Sequence, residues 1–186
     1  MKTKIRTIIM YSVFLTGACA NMPPVGDKTA LQDVDFCLNL DGLEFEHQLI
    51  FIAHAKLAAK LATKSIKALT GRGSVDIVET GCRNFIYLSN KPDAYYFGRT
   101  HRFTKTKNFE TRLSKVNIEI TTQAYHKFFD ESELVPFGLT ILLMHEMGHA
   151  LGLDHVKDDI EDIMFPFYNP FQNLEYNKII FMELAF

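Results

Sequence analysis

The eleven-residue stretch HEMGHALGLDH, residues 145–155, constrains the fold more than any other part of the sequence. Because residues four apart lie on one face of an α-helix, His145 and His149 can direct two imidazoles toward a single point. Gly152 tolerates a positive φ and can end that helix in a sharp turn. His155 can then return to the same point. The spacing therefore predicts a helix, a glycine turn and three nitrogens around one metal ion.

The residue types in this stretch indicate a zinc enzyme. Neutral imidazole is a good zinc ligand, and H-E-x-x-H on a helix is a strong zinc signature. Three ligands, His145, His149 and His155, leave one position of a single catalytic Zn²⁺ open for water. Glu146 projects beside the metal, where it can take a proton from the activated water. The alternative, that the histidines share this stretch by chance, is disfavoured because the glycine and the third histidine keep the register.

The extended pattern H-E-x-x-H-x-x-G-x-x-H resembles the zinc motif of the metzincin metalloproteases. That family also carries a methionine beneath the metal in a tight downstream turn, the Met-turn, and DIMFP at 162–166 supplies Met164. Met164, Pro166 and Tyr168 are similar to the Met-x-Pro-x-Tyr pattern of the matrixin branch, the matrix-metalloprotease type. The resemblance implies that Pro166, Phe167 and Tyr168 form one wall of the pocket for the substrate side chain that follows the cleaved bond.

The resemblance also implies an α+β fold, with a five-stranded mixed, twisted sheet and three helices. In that fold the active-site helix is followed by the Met-turn and a C-terminal helix. The residue patterns agree, because alternating runs predict strands and longer periodic runs predict helices. The expected strands are 34–40, 75–80, 84–89, 94–103 and 116–121, and the expected helices are 44–69, closed by Gly71, the motif helix opened by Pro136, and 173–184. The run 94–103 is implied to be the antiparallel edge strand over the cleft.

Two finer expectations concern the first helix and a polar segment. One face of the helix is expected to be apolar, and another to be basic and exposed to solvent. The apolar stripe comprises Leu49, Ile50, Ala53, Leu57 and Leu61, and the basic stripe comprises Lys56, Lys60, Lys64 and Lys67. The polar segment KTKNFETRLSK, residues 105–115, is expected to be a loop.

Residues 1–20 are predicted to be an export signal, because a basic start is followed by a short apolar run and small residues. Two interpretations stay open: LTGAC resembles a bacterial lipobox that would make Cys19 a lipidated first residue, whereas ACA fits cleavage after Ala20. Residues 21–33 are expected to be a tether and 34–186 the matrixin-like catalytic domain. The protein is therefore expected in the bacterial cell envelope as an anchored lipoprotein, in the periplasm, or secreted.

Export also bears on the cysteines and on the partners. In an oxidising compartment, Cys37 and Cys82 are expected to pair as a disulfide. The resembled fold implies neighbouring strands for them, and two separate buried thiols are the alternative. A net charge of −2 gives no indication of nucleic acid as a partner. Membrane contact is expected only through a lipid anchor, and the chain is expected to be a monomer.

The remaining candidate ligands carry less information. A calcium ion is unsupported, because the acidic segment lacks a known ligand spacing; its members are Asp158, Asp159, Glu161 and Asp162. The other histidines are expected to be structural or exposed; they are His47, His54, His101 and His126. Among them, His101 is of interest because its strand borders the implied cleft.

These residues predict a zinc-dependent endopeptidase that acts on a protein or peptide substrate, with Glu146 as general base. A second hypothesis keeps the metal chemistry but takes a non-protein amide, as a zinc amidase acting on cell-wall peptides would. A third is a non-catalytic surface lipoprotein that binds a partner through the same scaffold. The intact Glu146 argues against the third hypothesis, because a binding protein has no need of a general base.

Overall fold

The computed structural model describes residues 33–91, 94, 96–107, 110–130, 138–155 and 163–164. Along this part of the chain the elements are β1 (Val34–Asn39), α1 (Phe45–Thr70), β2 (Val75–Ile77), β3 (Asn84–Ser89), β4 (Gly98–Lys107), β5 (Glu110–Thr121), α2 (Thr122–Asp130) and α3 (Gly138–Ala150). The expected helix 173–184, the export signal and the tether up to residue 32 lie outside the described residues. Within the described ranges, no helix combines the length and the apolar character needed to cross a membrane.

The strands form one mixed sheet in the order β2-β1-β3-β5-β4. β1 pairs in parallel with β2 and β3, and β3 pairs in parallel with β5. β4 runs antiparallel to β5 and occupies an edge of the sheet. The expected α+β fold, with a mixed five-stranded sheet and an antiparallel edge strand, is confirmed, and two of the three described helices, α1 and α3, are among those expected. Helix α2 is not among the helices expected from the sequence.

The polar segment 105–115, expected to be a loop, belongs mostly to two strands. β4 and β5 continue as an antiparallel pair as far as Lys107 opposite Glu110. Thr104 and Lys105 are exposed on this part of the hairpin. An antiparallel pair satisfies its backbone hydrogen bonds locally and can face water, and β-branched threonine favours strands. The polar composition is therefore that of a solvated hairpin, and the expectation of a loop is wrong.

Helix α1 packs through a face that differs from the expected apolar stripe. Leu49 and Ile50 are 52% and 37% exposed, and Ala53 is also exposed. Of the expected stripe only Leu61 is buried, while Leu57 is half-buried. The buried face combines small and large side chains: Phe51, Ala55, Ala58, Ala59, Ala62 and Ile66. The buried face of α1 is therefore decided by which side chains can pack closely, including small alanines, and not by hydrophobicity alone.

The basic stripe and the end of α1 agree with the sequence. All four lysines of the stripe are exposed: Lys56, Lys60, Lys64 and Lys67. Gly71 follows the last turn with a φ of 72°, and its N–H donates to the Lys67 carbonyl oxygen at 2.9 Å. Glycine adopts this left-handed conformation at little steric cost, which ends the helix at this point.

Cys37 and Cys82 form a disulfide that joins β1 to the segment between β2 and β3. Their Cα atoms are 5.8 Å apart, which is within the usual range for a disulfide. Cys37 of β1 pairs with Phe85 of β3 in the sheet, so β1 and β3 are neighbouring strands. The expected pairing is confirmed, and the alternative of two separate thiols is wrong.

A polar contact between two helices fixes α3 against α1. His54 Nδ1 lies 2.7 Å from Thr140 Oγ1, and Thr140 is buried in α3. Burial lowers the pKa of His54, so its imidazole is neutral at neutral pH. His54 therefore has a structural role, and its contact helps to set the position of the helix that carries the motif.

Candidate metal centre and active site

Every residue of helix α3 is buried except His145 and His149, which are partly exposed. Because these two residues are four apart, both imidazoles leave the helix on one side. Tight packing on the remaining sides fixes the helix and therefore the direction of the two rings. Pro136, the expected start of this helix, lies outside the described residues.

The chain turns at Gly152, as the sequence predicts. Gly152 has a φ of 90°, and its N–H donates to the His149 carbonyl oxygen at 3.0 Å. The Leu153 N–H donates to the Gly148 carbonyl oxygen at 2.9 Å. This pair of hydrogen bonds around a left-handed glycine is the Schellman arrangement that ends helices. The turn brings His155 back beside the two histidines of α3.

The three histidines meet through their Nε2 atoms. These atoms are 3.2 Å apart between His145 and His149, 3.0 Å between His149 and His155, and 3.3 Å between His155 and His145. A tetrahedral zinc ion with Zn–N bonds of about 2.0–2.1 Å holds two nitrogen ligands about 3.3 Å apart. The spacing and chemistry of these donors therefore fit a zinc ion, as the sequence predicts. Elsewhere in the described ranges, no further group of three such side chains converges.

Backbone oxygens orient two of the rings. His145 Nδ1 donates to the Ile163 carbonyl oxygen at 2.6 Å, and His149 Nδ1 donates to the Leu153 carbonyl oxygen at 2.8 Å. A carbonyl oxygen can only accept, so each Nδ1 carries the proton and each Nε2 keeps a lone pair for a metal. Burial lowers the pKa of His145 to about 4 and also lowers the pKa of His149. Both rings are neutral at neutral pH, as metal ligands must be.

Glu146 directly follows His145 in α3 and is 4% exposed. Burial raises the pKa of its carboxyl group to about 7, although the hydrogen bond from Thr100 and the charge of Arg99 act in the opposite direction. Thr100 Oγ1 lies 2.7 Å from Glu146 Oε2 and 2.9 Å from the Glu146 carbonyl oxygen. The edge strand β4 thus contacts the Glu146 carboxylate directly.

Met164 is buried and packs under helix α3. A Cβ added at Gly148 would overlap Met164 Sδ and lie 3.2 Å from Met164 Cε. A residue with a side chain at position 148 would therefore displace Met164 or the helix. The adjacent Ile163 provides the carbonyl oxygen that orients His145. This short segment therefore supports the histidine cluster in two ways, through the packing of Met164 and through this hydrogen bond.

His101 points to the opposite face of the sheet, where it meets a buried carboxylate. Glu119 is fully buried, and His101 Nε2 donates to its Oε2 at 2.9 Å. Lys91 Nζ and Ser89 Oγ each lie 2.6 Å from Glu119 Oε1. Burial alone would raise the pKa of Glu119, but hydrogen bonds from Lys91, Ser89 and His101 lower it to about 2. His101 is therefore part of a structural network rather than of the histidine cluster.

The family model of the matrixins, peptidase family M10, matches residues 89–179. Over these residues the chain is matrixin-like, as the sequence motif predicts. No curated protein matches the sequence. Among solved structures, metalloproteinase-II from Bacteroides fragilis is similar, with 20% sequence identity and a TM-score of 0.41. The similarity covers 84% of this chain and 55% of that chain, so this chain spans about half of that protein's length.

The matrixin-like domain brings together the residues that the motif predicts. The Nε2 atoms of its three histidines converge, the buried Glu146 directly follows the first of these histidines in α3, and Met164 packs against Gly148 of α3. The expected pocket wall, Pro166, Phe167 and Tyr168, lies within the matched range but outside the described residues. Cys19 and the acidic segment 158–162 also lie outside the described residues.

Four contacting residues were not expected from the sequence: Gly98, Thr100, Glu119 and Gly148. Gly98 and Thr100 approach Glu146 from a strand far from the motif in sequence. The only signal for them is the expectation that the run 94–103 borders the cleft. Glu119 lies on a strand in which apolar and polar residues alternate. The polar residues of such a strand usually face solvent, so the sequence gives no sign that Glu119 is buried.

We predict that residues 21–186 bind about one zinc ion per chain. Each of the variants His145→Ala, His149→Ala and His155→Ala should lose most of the metal, because two remaining imidazoles hold zinc weakly. His126→Ala is the matched control, since His126 is exposed and lies outside the cluster. Metal analysis after dialysis measures the content. A triple variant that keeps its zinc would show that the ligands lie elsewhere.

A second prediction concerns the Glu119 network. Folding lowers the pKa of Glu119 from 4.5 to about 2, so its stabilising effect is fully present above pH 4.5 and is lost as the pH falls toward 2. Glu119→Gln should reduce the free energy of unfolding at pH 7 by roughly 1–3 kcal/mol. The reduction should be smaller at pH 3. Urea unfolding of both proteins at both pH values tests this, with the exposed Glu79→Gln as control; equal reductions would contradict it.

Proposed function

We propose that this chain is a zinc-dependent endopeptidase that hydrolyses peptide bonds in protein or peptide substrates. The observation that carries the proposal is the convergence of three Nε2 atoms, from His145, His149 and His155, within 3.3 Å of one another, with a buried glutamate directly after His145 in α3. The match to the matrixin family supports it, because the matched range 89–179 includes all three histidines and Glu146.

The roles in the proposed reaction follow from the chemistry of each group. A bound zinc ion supplies Lewis-acid chemistry, which lowers the pKa of water toward neutrality and polarises a carbonyl. His145, His149 and His155 would hold the ion through Nε2. Glu146 would accept the proton of the attacking water and then deliver it to the leaving nitrogen.

The environment of Glu146 suits a group that both accepts and releases a proton. Burial raises the pKa of Glu146 to about 7, so that the two protonation states are close in free energy near neutral pH. Thr100 and the main chain of α3 hold the carboxylate beside the histidine cluster. In the same proposal Met164 forms the floor beneath the metal, and Pro166, Phe167 and Tyr168 form a wall of the substrate pocket.

Two other functions use the same scaffold. A zinc amidase acting on cell-wall peptides would need the same four residues and would differ only in its substrate. A non-catalytic surface lipoprotein that binds a partner would not need Glu146. Burying a charged carboxylate costs free energy unless the group is paired or protonated. A protein that uses the carboxylate to transfer protons has a functional reason to keep it buried despite this cost. The burial of Glu146 therefore favours a hydrolase.

The variant Glu146→Gln separates catalysis from binding. Glutamine has nearly the same size and shape but cannot act as a base, so peptidase activity should fall by a factor on the order of 10² or more. Zinc content and the unfolding midpoint should stay near those of the wild type. The exposed Glu79→Gln is the matched control and should keep full activity.

The assay compares hydrolysis of a denatured protein, a peptide library and cell-wall peptides, with and without a chelator. Hydrolysis of protein by wild type but not by Glu146→Gln is the expected result. Cleavage of cell-wall peptides alone would establish the amidase instead. Equal cleavage by the wild type and a zinc-loaded Glu146→Gln variant would show that the proposed mechanism is wrong.

We also propose that residues 1–20 direct export and that Cys19 becomes a lipid anchor, with cleavage after Ala20 as the alternative. The disulfide between Cys37 and Cys82 supports export, because disulfides persist in oxidising compartments and are rare in the cytosol. An exported protein would meet its substrates in the cell envelope or outside the cell.

Lipid anchoring predicts that Cys19 incorporates labelled palmitate in the bacterial host and that the protein sediments with membranes. Cys19→Ala should lose the label and appear in the soluble fraction after export. A wild-type protein that is soluble and unlabelled in the periplasm would favour cleavage after Ala20. A wild-type protein that stays in the cytosol with Cys37 and Cys82 reduced would show that the export proposal is wrong.

A further inference from the structure

Strand β4 meets the motif helix through a hydroxyl group. Thr100 Oγ1 lies 2.7 Å from Glu146 Oε2 and 2.9 Å from the Glu146 carbonyl oxygen. A hydroxyl group has one proton to donate, and a charged carboxylate accepts more strongly than a neutral carbonyl. When Glu146 is ionised, the Thr100 hydroxyl is therefore best used as a donor to Oε2.

The second feature is Gly98, whose lack of a side chain leaves room for the Glu146 carboxylate. A Cβ added at Gly98 would lie 2.7 Å from Glu146 Oε1, 2.9 Å from Cγ and 3.0 Å from Cδ. Gly98 is not among the glycines with positive φ in the described residues, so its backbone does not itself require glycine. What position 98 requires is space for the carboxylate of Glu146.

The two contacts act on different oxygens from a single rigid strand. Thr100 pairs with Ile118 of β5, and Gly98 pairs with Ile120. The Phe97 carbonyl oxygen, just before Gly98, accepts the Thr121 N–H at 3.0 Å. Because β5 lies inside the sheet, β4 is held at both of the points that touch Glu146.

We propose that Gly98 and Thr100 are positioning residues, which hold the Glu146 carboxylate in one orientation for proton transfer. Thr100 restrains Oε2 through its hydroxyl group, and Gly98 leaves room for Oε1 against the strand. This proposal rests on the proposed hydrolase function, since the orientation matters only if Glu146 moves a proton. The competing interpretation is that the contacts merely tie β4 to α3.

The kinetic test compares Thr100→Val, which removes the hydroxyl at nearly constant volume, with Thr100→Ser, which keeps it. Thr100→Val should lower kcat roughly 10- to 100-fold, the scale of a small misplacement of a catalytic group, with KM little changed. Thr100→Ser should recover most of kcat. Thr104→Val, an exposed change on the same strand, is the matched control. Thr100→Ala takes the place of Thr100→Val if the valine variant does not fold.

A structural test does not depend on activity. In crystals of the metal-free protein, Glu146 should adopt one side-chain conformation in the wild type and several, or a displaced one, in Thr100→Val and Gly98→Ala. Gly98→Ala should also lower the urea midpoint of unfolding in the wild-type background but not in Glu146→Ala, because the methyl group then meets no carboxylate. An unchanged Glu146 conformation in both variants would overturn the proposal.

The outcomes distinguish this proposal from the function on which it rests. If wild type cleaves peptides, Glu146→Gln does not, and Thr100→Val keeps the wild-type kcat, the positioning role is wrong and the proposed hydrolase stands. If Thr100→Val and Thr100→Ser lose activity equally, the contact only joins β4 to α3, and the positioning role is wrong. If wild type hydrolyses none of the substrates, the proposed function fails and the positioning role fails with it.

Discussion

Three imidazole nitrogens that lie 3.0–3.3 Å apart can bind one metal ion only if none of them carries a proton at that atom. This requirement explains much of the surrounding structure. The carbonyl oxygens of Ile163 and Leu153 take the Nδ1 protons of His145 and His149, which leaves each Nε2 with its lone pair. Burial disfavours the charged form of both rings. The left-handed turn at Gly152 then completes the cluster, because it aligns Leu153 O with His149 and returns the chain to the third histidine.

The histidine cluster could be predicted from the sequence because its geometry is local. His145, His149 and Gly152 belong to one helix and its end, where a spacing of four and a glycine have direct structural meaning. The fold class followed from the order of the patterns and the resemblance. The face of α1 could not be predicted, since alanines such as Ala55 pack closely while the larger Leu49 stays exposed. Packing of distant elements decides such choices, and it leaves no periodic signal in a single helix.

The residues that contact Glu146 from outside the motif were beyond sequence reasoning for a related reason. Thr100 is 46 positions away from Glu146, and no local pattern marks a threonine as a hydrogen-bond donor to a distant carboxylate. The sequence also gives no signal for Gly98, because its importance lies in the space that its missing side chain leaves for Glu146. An alternating strand gives no sign that Glu119 is buried, although Lys91 and Ser89 contact it on the face of the sheet opposite Glu146.

Strand β4 links these two faces, because successive side chains of a strand point to opposite sides. Thr100 meets Glu146 on one face, while His101 meets Glu119 on the other. A slip of β4 by one residue would exchange the faces. In one direction it would place His101 against Glu146 and Arg102 against Glu119, and in the other direction it would place Arg99 against Glu146 and Thr100 against Glu119. Such a slip would break the His101 contact with a fully buried carboxylate, which is costly. The Glu119 network therefore opposes the slip, and the register that it favours is the one that aligns Gly98 and Thr100 with Glu146.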